Sequence, residues 1–119
     1  MSTADPLALL RATAAVQRLD DDLTVHPGDR QRERTYLVHR AALADRAVPA
    51  LAEVEDPATS ERDAAETAHR LLAYDRAHGT GCGSVPASDA RWDADPRGYA
   101  RQEHAAAVRA EHDQKHVRG

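Results

Sequence analysis

The 119-residue chain has no phenylalanine and no isoleucine, and only one Cys (Cys82), one Trp (Trp92) and one Lys (Lys115). Each shortage excludes something. A lone Cys cannot close an intrachain disulfide, so nothing points to an oxidising compartment. No apolar run approaches the ~18–20 residues of a bilayer span, and the opening MSTADPLALLRATAAVQRLDDD has neither the basic start nor the long apolar stretch of a signal peptide. A cytoplasmic protein is expected. Large apolar side chains are also scarce, with 10 Leu and 8 Val against 25 Ala. That Leu and Val content lies below the roughly 20% level at which disorder becomes common. The other half of the disorder signature is missing, because the net charge is only −4. The composition therefore implies a folded chain with a thin core, since alanine brings helices close but buries little area. A homodimer or a protein partner would raise the stability of such a fold.

What is present is helical. The periodicity predicts one all-α domain over residues 1–119, a small bundle of about four helices, with a long ordered loop at 79–94 and frayed ends at 1–4 and 117–119. Asp5-Pro6 reads as N-cap and first helical residue of helix 1, which should stop near Asp20-Asp21-Asp22, where three carboxylates oppose the helix dipole. Helix 2 is expected from about Asp29 to Val48, with an apolar stripe through Tyr36, Leu37, Ala41, Leu43, Ala44, Ala47 and Val48. Pro49 should break it, leaving Ala50–Val54 as a short helical continuation. Helix 3 should start at Thr59 or Ser60, with Ser60 and Asp63 as a capping box, bury Ala64, Ala65, Ala68, Leu71, Leu72 and Tyr74, and end at Gly79. Asp95-Pro96 repeats the start signal for helix 4, which runs towards His116 with an inner face of Tyr99, Ala100, Ala106, Ala107 and Ala110.

The stretch His78–Tyr99 gathers the rare residues, including Cys82, Trp92 and four of the six glycines. Zinc takes tetrahedral N and S ligands, so the candidate metal set is Cys82 and His78 with the helical pair His112 and His116, spaced i,i+4. Against it stand the absence of a CxxC motif and the terminal position of the histidine pair. Cys82 as a nucleophile would need a base, for which His78 is the nearest in sequence, and oxyanion donors, for which the backbone of Gly81-Cys82-Gly83 is available. No acidic orienter is specified, and GTGCGS lacks the Lys-Ser/Thr ending of a phosphate loop. No catalytic residue and no cofactor is assigned. Trp92 has two readings. It either plugs the seam between helices 3 and 4 or anchors a partner from the surface.

Charge is segregated, with residues 26–48 carrying +2 and residues 49–67 carrying −5. Helix 2 bears Arg30, Arg32, Arg34, Arg40 and Arg46, the basis for a weak nucleic-acid interaction. Asp29, Glu33 and Asp45 among them, and the acidic total, disfavour it. Arg40 sits on the apolar stripe beside Tyr36, either laid along the core edge with its head in water or paired with a carboxylate or a partner. Arg40, Tyr36 and Trp92 are thus the candidate interaction residues.

The Arg-Ala-His-Gly helix end at Arg76–Gly79, the Val85-Pro86 loop and the Trp-x-x-Asp-Pro-Arg-x-Tyr run at Trp92–Tyr99, following RTYLVHRAALADR at Arg34–Arg46, cover about a third of the chain. In these parts the sequence resembles small helical proteins of actinobacterial chromosomes and integrative plasmids. The resemblance implies an accessory or regulatory setting on a mobile element, and no activity or functional residue. The expectation is a non-enzymatic helical interaction or regulatory protein, working through a helical surface or as a homodimer. The alternatives are a zinc protein using Cys82, His112 and His116, and a nucleic-acid binder using helix 2.

Overall fold

The computed structural model describes residues 6–117, with side chains described through Lys115. Asp5, the His116 side chain and the end segments 1–4 and 118–119 lie outside the described residues. The fold is all-α: α1 (Pro6–Val25), α2 (Arg30–Ala50), α3 (Pro57–His78) and α4 (Pro96–Val117), with one 3-10 turn at Ala90–Asp93 in the loop before α4. Among the described residues there is no strand, and no helix is long and apolar enough to cross a membrane.

α2 is the central element, packing against α1, α3 and α4. Its buried positions Leu37, Val38, Ala41 and Ala44 recur at helical spacing. Leu37, Val38 and Ala41 meet Ala68, Leu71 and Leu72 of α3 and Tyr99 and Ala100 of α4 in one core. Asp45, on the flank of α2, clamps α4 by accepting from Arg97 at 2.8 Å and from Arg101 at 2.9 Å.

Three helix ends depart from expectation. α1 continues past the acidic triplet to Val25. Arg32 explains this, since its guanidinium bonds Asp22 at 2.9 Å and Asp29 at 2.7 Å, offsetting the carboxylates that would fray the end. Pro49 does not break α2. It sits in the last turn, so the lost donor falls where the ladder is already ending, and Leu51 N–H closes on the Ala47 carbonyl. Residues 51–54 are turn, not a helical continuation. α3 starts at Pro57, three residues before Ser60, because Asp56 caps it through the Ala58 N–H. Ser60 is buried in the first turn and Asp63 is turned to Arg40 instead of a capping box. The end of α3 is as expected. Gly79 adopts φ 65°, a conformation costly to a side chain, and returns its N–H to Asp75.

The inner face of α4 is shorter than predicted. Tyr99, Ala100 and Glu103 are buried, but Ala106 and Ala107 are half-buried and Ala110 is exposed, so the far end of α4 projects beyond the core. Its start follows the sequence, with Asp95 Oδ1 accepting from Gly98 N–H at 3.0 Å.

Candidate functional site

The loop from Gly79 to Asp95 is held at nearly every step. Trp92 is buried, its ring meeting Tyr99 edge-on at 5.5 Å and its Nε1–H donating to the Pro86 carbonyl at 3.1 Å. It is the plug of the seam, so the reading of Trp92 as an exposed partner anchor does not describe this fold. Arg76 donates to the Ala87 carbonyl at 2.7 Å, and Gln102 brackets Val85 by bonding both its carbonyl and its N–H.

Beneath the glycines lies a cluster of charged groups. The Arg34 guanidinium of α2 grips Asp75 of α3 with two bonds of 2.8 Å and reaches Glu103 of α4 at 2.6 Å. Both carboxylates are almost wholly buried. Asp75 also accepts from Tyr99 Oη at 2.5 Å and Thr80 Oγ1 at 2.6 Å. Glu103 accepts the Cys82 N–H at 2.6 Å, the Gly83 N–H at 2.9 Å and the Gln102 amide at 2.9 Å. Gly81 passes so close, at φ 141°, that a Cβ would come within 3.2 Å of Tyr99 Oη. Burial pushes the Asp75 carboxyl up, but bonds from Arg34, Thr80 and Tyr99 and the Arg34 charge bring it below the usual carboxylate range. Burial, the bond to Asp75 and the neighbouring carboxylates push the Tyr99 hydroxyl up. The bond to Asp75 pushes Arg34 up against the opposing effect of burial.

The consequence is chemical as well as structural. The successive N–H groups considered as oxyanion donors are real, and the protein's own Glu103 occupies them. Each carboxylate already accepts four hydrogen bonds, which leaves neither oxygen pair open for base or ligand chemistry unless the loop releases it. Cys82 is exposed, its Sγ 3.9 Å from the Arg34 guanidinium. His78 lies against Tyr74, ring centroids 4.2 Å apart, and His112 is on the exposed far end of α4. Among the described residues no group of three or more His, Cys, Asp or Glu is placed to hold a metal ion.

The cluster was missed in the sequence although a signal existed. Arg34 precedes Leu37 and Val38 on the buried stripe of α2, Asp75 follows Leu71 and Leu72, and Glu103 follows Tyr99, each three or four residues along a buried face. A charge on each of three core stripes predicts that the three meet.

A second feature is open. α1 and α3 both pack on α2 and leave a slot between them of about 360 Å³. Its floor is Tyr36, Arg40, Leu43, Ala44 and Ala47 of α2, walled by Leu9, Val16 and Asp20 of α1 and by Asp63 of α3. Two of the three candidate interaction residues, Tyr36 and Arg40, therefore face the same recess. Arg40 is half-buried and bonds Asp63 at 3.1 Å, which is the paired alternative for this residue. Two of the other four α2 arginines are engaged. Arg32 pairs with Asp22 and Asp29, and Arg34 is enclosed in the cluster.

Compared with protein-family models, with curated proteins and with solved structures, the chain matches none.

Proposed function

We propose that the chain is a non-enzymatic helical interaction protein that receives a protein segment in the slot between α1 and α3. The slot itself carries this reading. Its floor repeats at helical spacing over Tyr36, Arg40, Leu43 and Ala47, with apolar side chains beside the Arg40–Asp63 pair and polar Thr13, Gln17 and Asp20 on the α1 wall, a mixed relief that an amphipathic helix fits. The saturated carboxylates of the buried cluster support a non-enzymatic role, because they serve to fix the loop. An exposed free thiol at Cys82 suits a reducing compartment such as the cytoplasm. An accessory protein of a mobile element is the setting that the sequence resemblance suggests.

The test is site-specific photo-crosslinking in cells of the source organism. A photoreactive residue at Thr13, which lines the slot, should capture a discrete protein that the same residue at exposed Arg62 does not. Leu43→Glu, which places a charge on the slot floor, should abolish that capture. Identical products from positions 13 and 62, or none from either, overturn the reading.

A further inference from the structure

The outer face of α1 has its own pattern. Leu7, Arg11, Ala14, Arg18, Asp21 and Val25 alternate spacings of four and three, the repeat of a coiled-coil seam, and all six are exposed. Leu7 is 60% and Val25 71% exposed, one at each end of this face. The inward face of α1 gains little, since Val16 is its one buried residue.

We infer that this face is a seam for a second copy of the chain, with the two α1 helices antiparallel across a two-fold axis that crosses the outer face at the level of residue 16. Charge order selects the occupant and its direction. In that alignment Leu7 meets the second copy's Val25, Arg11 meets its Asp21, and Ala14 meets its Arg18, each contact made twice by symmetry. A parallel pairing would set Arg11 on Arg11 and Asp21 on Asp21. Within the chain, among the described residues, Arg11 has no ion pair, and Asp21 accepts only the Gln17 amide of its own helix at 3.1 Å. The next residue, Asp22, is by contrast tied to Arg32. The small Ala14 beside the axis lets the backbones approach. The pairing rests on the reading of the chain as an interaction protein and names one partner, itself. A single helix pair buries less than the ~1,200 Å² of a standard interface, so the dimer is of the weak, transient class.

Sedimentation equilibrium of the full chain from ~10 to ~500 µM, the range suited to such an interface, tests it. The average mass should rise towards twice the chain mass. Arg11→Glu and Asp21→Arg should each hold the protein at the monomer mass, and the double variant Arg11→Glu/Asp21→Arg should restore the rise. Both reversals lie on exposed positions inside α1, so circular dichroism should show unchanged helicity and a lost dimer cannot be ascribed to a lost helix. A wild-type chain that stays monomeric overturns the inference, as does a dimer indifferent to the charge reversals. A monomer that still captures a partner through Thr13 loses this inference alone, and a dimer that captures nothing at Thr13 keeps it while the slot reading fails.

Discussion

α1 and α3 pack on the same central helix, yet they are held by different means. α3 buries Ala64, Ala68, Leu71 and Leu72 completely and closes its far end with Asp75 inside the Arg34–Glu103 cluster. α1, of nearly the same length, fully buries only Val16 and leaves Leu7 and Leu10 largely in water. The lesson is that in an alanine-rich chain the number of helical turns says little about how firmly a helix is held. What differs is whether a buried polar network ties the helix to two others.

Three perturbations would break or sharpen that contrast. The largest effect is expected from Arg34→Met. It leaves Asp75 and Glu103 buried without their cation, though still bonded by their neutral donors, a class of change that costs about 3–5 kcal/mol. Urea unfolding should show that loss, with the Gly79–Asp95 loop and the α3–α4 pairing weakened together. A cost under ~1 kcal/mol would mean the cluster is ornamental to stability, since exposed ion pairs are worth no more than that.

Acid should act next, and in two stages. Burial, helped by His39 and Arg46, pushes His104 below the usual histidine range, and its ring meets His39 edge-on at 5.3 Å between α4 and α2. A base whose folded pKa is depressed contributes stability that is complete above its unfolded value, near 6.5, and is lost as pH falls through the folded value. Asp75, also depressed, follows the same sign in the carboxylate range, its contribution present above the unfolded pKa and lost at lower pH. Thermal melts from pH 8 downwards should therefore show a first loss below neutrality that His104→Gln removes, and a second, in acid, that it does not. A melting temperature flat down to pH 5 contradicts the first stage.

The smallest global effect belongs to Val16→Ala, about 1.5 kcal/mol for two lost methyl groups at most. Its signature is local. Amides of α1 should exchange faster while those of α3 keep their protection, because α1 opens without the rest. Equal acceleration in both helices would show that α1 is as integral as α3 and dissolve the comparison.

The number and order of the helices were legible in the sequence, because the 3.6-residue stripes of helices 2 and 3 and the Asp-Pro and Gly punctuation act locally. The misplaced boundaries have two causes. The end of α1 depends on Arg32 and the role of Asp63 on Arg40, partners on another helix that local signals do not report. The end of α2 and the start of α3 are local instead, set by Pro49 falling in the last turn and by the Asp56-Pro57 cap. Trp92 was legible as a plug because a chain without Phe or Ile has no larger apolar side chain to place in the core. The cluster was not read, because Arg34 counted only among the cations of helix 2 and the charged type of Asp75 and Glu103 carries no sign of burial, although all three positions lie on apolar stripes. Tyr36 and Arg40 were legible as neighbours on one helix face. That they floor a recess follows only from how far α1 stands from α3, which no single-helix pattern encodes.

The seat that Glu103 takes among the loop amides has a consequence for the order in which the chain assembles. The bond from Arg34 to Glu103 spans 69 positions in sequence, so it cannot form within one nascent helix or hairpin, whereas Thr80 meets Asp75 at the end of α3 alone. Until α4 docks, the glycine segment has no anion to wrap and remains an open tether. Ordering of the loop and docking of α4 are thus one event, late and cooperative, and a chain stopped before Glu103 would carry two or three formed helices joined to a tail that has nothing to close upon.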